Sequence, residues 1–182
     1  MLQALEQPRF YFDLGSPDAW LVAERVLREL PVLAEWMPAA LGPDPAPDWT
    51  ALSARAREAG TLPLRSPASW PPDTSLVLHA ATFSKQLGKT VAFCLAAFRQ
   101  AFTAGRDLGA EETTLIAGAA AEMHPRAILR AAGLAGVRRD LAARTQEARE
   151  LGIGQGPALV LVDGTVHAGP DCLEAAAAIL GS

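Results

Sequence analysis

Strand-type patterns occur only near the two ends of this chain, and the long middle is helical in period. Arg9–Leu14, "RFYFDL", alternates aromatic and smaller residues. "VLAEWMPAAL", residues 32–41, reads as a second strand closed by Pro38. The next strand signals come in "GPALVLVDGTVHAG", where Ala158–Val162 and Thr165–Ala168 flank an Asp163-Gly164 turn. Any sheet must therefore be assembled from both ends of the chain. The front half reads strand–helix–strand, which implies a crossover and parallel pairing. The back half reads hairpin then helix, which implies antiparallel pairing. Each half leaves a sheet edge that the other can pair.

The crossover helix opens at Ser16-Pro17, with Ser as cap, Pro at the first helical position and Asp18 in the first turn. Ala23, Val26, Leu27 and Leu30 form its apolar face, and Pro31 ends it. "GPDPAP", residues 42–47, is a cluster of breakers and predicts a loop. Trp49–Ala59 predicts a short helix ended by Gly60, and the four prolines of residues 61–72 predict an extended connector. Helical spacing begins at Thr74. Val91, Leu95, Phe98 and Phe102 form a stripe expected to pack into a core. Glu111–Ala121, Pro125–Ala132 and Arg138–Leu151 predict three further helices, the last with Gly152 just beyond its end. A final helix is expected over Pro170–Leu180. The expected architecture is α/β: β-α-β, a helical block, then α-β-β-α. Residues 1–45 and 136–182 would form one domain, with 46–135 as an inserted helical domain.

Composition narrows the function. Half of the 182 residues are apolar, the net charge is −4 and no basic block occurs, so nucleic acid is not an expected partner. The first ten residues lack the basic start and apolar run of a leader, and no apolar run approaches the roughly 18 residues of a membrane span. A cytoplasmic protein without membrane contact is expected. The two cysteines, Cys94 and Cys172, form no C-x-x-C, and Cys94 lies in the apolar "TVAFCLAAF". The three histidines show no metal-ligand spacing, and His124 reads as a turn residue before Pro125. No metal site is expected. Ser16 has two readings: a helix cap, or the working atom of the protein.

The order of elements resembles the thioredoxin-like fold with a helical insertion found in the DsbA-like group. "FYFDLGSPDAWL" is similar to the opening of the 2-hydroxychromene-2-carboxylate isomerases and kappa-class glutathione transferases, and "WPPDT", "AFCLAAFRQAFTAGRDL", "GIGQGPALVLVDG" and "HAGPDCL" extend the likeness along nearly the whole chain. The resemblance implies that Ser16 stands where related proteins carry the first redox cysteine, with Ala19 at the place of the second. It implies a glutathione-dependent isomerase or transferase acting on a small aromatic or hydrophobic substrate, in which the Ser16 hydroxyl contacts the glutathione sulfur next to Pro17. It further implies a cis bond at Gly156-Pro157 facing Ser16, a backbone contact from Gly156, and roles for Asp73 and Asp171 in holding glutathione. Several positions depart from the relatives: Asp73 for Asn, Gly156 for Val, and Pro170 and Cys172 for a polar residue and Arg. The usual lysine after the second strand is absent, leaving Arg55, Arg57 or Arg65 to meet an anion. A homodimer is among the assemblies the resemblance allows. The competing expectations are a ligand-binding domain of the same fold without catalysis, and an interaction protein using its sheet edge or helical block.

Overall fold

The structure is a computed structural model, and it describes residues 6–181. Residues 1–5, which carry half of the leader reading and the outer limit of the first expected domain, lie outside the described residues, as does Ser182. Among the described residues, four strands and eight helices follow in the order β1 (Arg9–Phe12), α1 (Pro17–Glu29), β2 (Glu35–Pro38), α2 (Trp49–Glu58), α3 (Ser75–Gln86), α4 (Thr90–Phe102), α5 (Glu111–Ala120), α6 (Pro125–Ala131), α7 (Ala135–Glu150), β3 (Ala158–Val160), β4 (Val166–Ala168) and α8 (Cys172–Leu180). The sheet order is β2-β1-β3-β4. β1 pairs parallel with β2 and antiparallel with β3, so the two ends of the chain meet at β1. The α/β order expected from the sequence is the observed one.

Both faces of β1 are buried, and its alternation sorts them. Phe10 and Phe12 point into the large core shared with α1, α4 and α8, while Tyr11 enters a smaller cluster with Met37, Ala148, Ile153, Ala158 and Val160 beneath α7. On the large side Trp36 packs edge-on to Phe10 and Phe12, with ring centres 5.3 and 5.5 Å away. Phe98 of α4 stands 5.5 Å from Phe12, and Phe102 lies 5.8 Å from Trp20 of α1. These rings make one continuous core through the sheet and the helical middle.

Local differences from expectation have local causes. The second strand shrinks to Glu35–Pro38, because β1 supplies partners only from Pro8, whose carbonyl takes the Glu35 N–H, to Phe12, whose carbonyl takes that of Ala39. Val32 and Leu33 therefore fall outside the sheet and are 43% and 73% exposed. On α4, Phe98 and Phe102 are wholly buried, but Val91 and Leu95 are only partly so. Phe93, Cys94, Ala97 and Ala101 complete the buried face, because α4 packs against α1, α3 and α5 at once. Helix α7 begins at Ala135, three residues early, and α8 begins at Cys172, after the Cys172 N–H closes a turn on Gly169 O. Among the described residues no helix is long and apolar enough to cross a membrane.

Candidate functional site

The β1–α1 junction is built by Asp13, Gly15 and Ser16. Ser16 has extended torsions (φ −103°, ψ 114°), and its Oγ accepts the Ala19 N–H at 3.1 Å. Pro17 follows at the first helical position, where its missing N–H costs nothing. The Ser16 N–H is itself bonded to Asp13 O at 3.1 Å. The serine is thus a real helix cap, and it is 3% exposed. Among the described residues its hydroxyl makes no donor bond, so one hydrogen remains to be given at the positive end of α1.

Asp13 is the site residue the sequence reading missed. It is fully buried, and its two carboxylate oxygens divide their work: Oδ1 accepts Gly15 N–H at 2.8 Å and Oδ2 accepts Gly42 N–H at 2.9 Å. Burial pushes this carboxyl above the usual aspartate range, against bonds from Gly15, Gly42, Leu41 and the Thr74 side chain that favour the ionised form. An Asp two residues before a Gly at a strand end is the pattern of a side chain closing its own turn, and that was the signal to find it.

Asp13 also ties down the loop after β2. Gly42 is held by Asp13, Pro43 O by Gln155 Nε2 at 3.1 Å, and Asp44 O by Trp70 Nε1 at 2.7 Å. Three consecutive residues are thus fixed from three separate segments. This strap lies directly on the serine loop: a Cβ on Gly15 would stand 2.8 Å from Pro43 Cβ and 3.0 Å from Thr74 Cγ2. Only glycine admits so close an approach.

The remaining expected residues surround this junction in different ways. The Gly156–Pro157 bond is trans, contrary to expectation; among the described residues a cis bond falls at Trp70–Pro71. Gly156 takes φ +98°, a conformation open to glycine, and this turns the chain into β3 without a cis bond. A side chain at Gly156 would meet nothing within 4 Å, so the space beside it is open. Asp73 acts as a local turn-closer: its Oδ1 accepts Ser75 N–H at 2.9 Å and Ser75 Oγ–H at 2.6 Å, and these bonds hold its carboxyl below the usual range. It is joined to the junction through its neighbour Thr74. Asp171 precedes α8, makes no cap bond, and lines a cavity of about 310 Å³ with Leu21, Arg25, Arg55, Glu58, Ala59 and Glu174.

Of the three candidate arginines, Arg55 alone reaches this region. It pairs with Asp18 in the first turn of α1, and its Nη2 lies 3.5 Å from Pro170 O. It therefore links the turn after Ser16 to the loop carrying Asp171. Arg57 donates to Ser53 O on its own helix, and Arg65 is an exposed residue of the connector. The cysteines offer no thiolate: burial pushes Cys94 far up and Cys172 up to about 12. His124 caps α6, its Nδ1 accepting the Arg126 N–H at 3.2 Å.

No family model and no curated protein matches this chain. Solved structures do. A 2-hydroxychromene-2-carboxylate isomerase superposes with a TM-score of 0.83 at 18% identity, over 96% of this chain and 94% of the other. The chain has a DsbA-like thioredoxin fold. A probable DsbA oxidoreductase from Streptomyces coelicolor matches at 0.81 and 18% identity, over 95% of this chain and 87% of that one. A candidate protein disulfide isomerase from Nitrosomonas europaea matches at 0.62 and 15%, over 90% and 86%. Within this DsbA-like fold, the β1–α1 junction is occupied by Ser16 and Ala19, and the strap of residues 42–44 lies over it.

Proposed function

We propose that the protein is a glutathione-dependent isomerase or transferase of the 2-hydroxychromene-2-carboxylate isomerase and kappa glutathione transferase type, acting on a small aromatic or hydrophobic substrate. The observation that carries this reading is Ser16: a hydroxyl with an unspent hydrogen at the positive end of α1, and Ala19 one turn on. With serine and alanine there, dithiol–disulfide exchange has no chemistry to use at this junction. A sulfur that arrives with a ligand does: the positive end of the α1 dipole and the Ser16 hydroxyl both favour a thiolate over a thiol. When bound, glutathione supplies that sulfur as a nucleophile that can add to an electrophilic carbon and leave again.

The chain's other groups fit the rest of such a ligand. Nothing lies within 4 Å of where a Gly156 Cβ would stand, so a ligand's backbone would approach this residue unhindered on that side. Asp171, which makes no side-chain bond among the described residues, would receive an ammonium, and Arg55 a carboxylate. Asp13 holds the junction and the strap together, so it positions Ser16 and does not touch the substrate. Because Ser16 is 3% exposed, the groups that cover its hydroxyl must move aside for the sulfur to reach it. The reading takes the protein to be cytoplasmic, where glutathione is kept reduced, and compatible with a homodimer.

A second reading is favoured by that same burial and by the trans bond at Gly156–Pro157. In it the domain binds a small ligand in the cavity beside Asp171 and performs no chemistry. Calorimetric titration with glutathione separates the two. Binding to wild type that weakens about tenfold or more in Ser16→Ala supports the enzyme reading, since a hydrogen bond to a charged group contributes about 1.5–3 kcal/mol. No heat at millimolar glutathione sinks it. Binding that Ser16→Ala leaves unchanged and Asp171→Ala abolishes supports the second reading.

A further inference from the structure

The amino end of α1 carries two carboxylates. Asp13 lies just before it and Asp18 in its first turn, and no cation occurs between Phe10 and Glu24. A carboxylate in the first turn of a helix cancels part of the positive end of the dipole. Asp18 is two residues from Ser16, so their Cα atoms stand at most about 7.6 Å apart, two steps of about 3.8 Å. That is within one Debye length, about 8 Å at physiological salt. Left alone, Asp18 would oppose an anion placed at Ser16.

The fold deals with the two carboxylates differently. Asp13 is fully buried and spends both oxygens on backbone N–H groups of Gly15 and Gly42. Asp18 is met by Arg55 of α2, 37 residues away in sequence. The Arg55 and Asp18 side chains are 35% and 29% exposed, so salt screens this pair less than one lying free on the surface. Arg55 Nη1 serves Asp18, and Nη2 lies 3.5 Å from Pro170 O on the loop before α8. The nearby charges do not replace Asp18 as its partner. Arg25 is bonded to Glu29 and Glu174. Glu58 and Asp171 line the same cavity as Arg55, and among the described residues neither is bonded to it.

We infer that the Asp18–Arg55 ion pair sets the charge at the amino end of α1, with Arg55 offsetting a carboxylate that would otherwise repel the thiolate at Ser16. This rests on the reading of Ser16 as the group that meets a ligand's sulfur. Arg55 acts on that sulfur through Asp18, so in this role it is a positioning residue, separate from its contact with the ligand's carboxylate. Seen from Ser16 the two charges offset one another, and removing one exposes the other. Loss of Arg55 leaves a bare carboxylate and disfavours the thiolate. Loss of the Asp18 charge leaves a bare guanidinium and favours it. A pair that only pinned α2 to α1 would lose stability in both variants without this opposition.

The test is the thiol pKa of bound glutathione, followed by thiolate ultraviolet absorbance across pH at saturating glutathione. Asp18→Asn is expected to move the bound thiol down and Arg55→Gln to move it up, each by at least about half a pH unit, the effect of one unit charge at this distance in a half-wetted setting. Arg55→Lys keeps the charge and is expected to stay closer to wild type than Arg55→Gln does. The double variant Asp18→Asn/Arg55→Gln is expected to return towards wild type. Circular dichroism checks that each variant is folded. Where Arg55→Gln cannot be saturated, Asp18→Asn decides alone. A thiol that Asp18→Asn leaves unmoved, or that both single variants move the same way, overturns the inference and leaves the role of Ser16 standing. No glutathione binding to wild type, a bound thiol at its free value, or one unmoved by Ser16→Ala overturns the Ser16 reading, and this inference falls with it.

Discussion

Asp13 is the residue on which the local architecture turns. Both of its oxygens accept backbone N–H groups, a buried one from its own loop and a part-buried one from the strap. Asp13→Ala leaves two donors without partners, each costing about 1–3 kcal/mol, and should lower stability to urea by about 3 kcal/mol. Asp13→Asn keeps one acceptor but turns an amide NH₂ towards the other donor, so it should lose at least half as much. If the asparagine variant matches wild type, the two-sided bond is not what holds the strap. Ser16→Ala removes only a cap, and about 1 kcal/mol is expected in the same measurement. The contrast between the two variants is informative. The sequence displays Ser16 plainly through the Ser-Pro-Asp pattern, whereas for Asp13 the Asp-x-Gly pattern announces only the bond to Gly15 and not the one to Gly42, which is distant in sequence.

At the scale of elements, the order of strands and helices was legible because each is framed by its own punctuation: Ser16-Pro17, Pro31, Gly60, His124-Pro125, Gly152, Asp163-Gly164. What was not legible was set by partners distant in sequence. The ends of β2 depend on where β1 stops, and the buried face of α4 depends on three neighbouring helices. The Gly156–Pro157 bond was misjudged because a glycine at φ +98° offers the chain another way to turn. The site was legible in part: Ser16 is the helix cap that the Ser-Pro-Asp pattern announces, Asp73 closes a local turn onto Ser75, and the strap of residues 42–44 reads from the sequence only as a loop.

Helix packing carries its own test. A Cβ on Gly118 of α5 would fall 2.0 Å from Ile128 Cδ1 of α6, and Ile128 is fully buried. Gly118→Ala gains helix propensity of about 1 kcal/mol but overpacks the contact by about 1–3 kcal/mol. Net destabilisation is expected by thermal melting. Ile128→Val removes the colliding methyl, so the double variant should be more stable than the sum of the singles allows; simple additivity would show that the two helices do not meet there as described.

For the whole molecule, the charged groups set an acid limit. Burial alone would raise Glu35, but Lys85 and Arg9 outweigh it and hold its carboxyl below the usual range. Hydrogen bonds from Arg25 hold Glu29 low. A lowered carboxyl contributes stability that is present above its unfolded value and lost as pH falls through the folded one. Asp13, raised by burial, works the other way: its contribution is present below the unfolded value and lost as pH rises through the folded one. Paired carboxylates outnumber it, so the melting temperature should fall as pH drops through the carboxylate range. Lys85→Met should lie below wild type at neutral pH and converge on it in acid. A constant difference between the two curves would mean that Glu35 is not held by this pair. Salt should narrow the gap only modestly, since both side chains are two-thirds covered.

The central claim is that the α1 N-terminus and the Ser16 hydroxyl hold a ligand's sulfur as a thiolate. Its most direct measurement is the thiol pKa of bound glutathione, read from thiolate ultraviolet absorbance across pH in wild type and Ser16→Ala. The account predicts a bound thiol well below the ordinary value of about 8.5, moving back up towards it in the variant. A bound thiol at its free value in wild type, or one that the loss of Ser16 leaves unmoved, would contradict it.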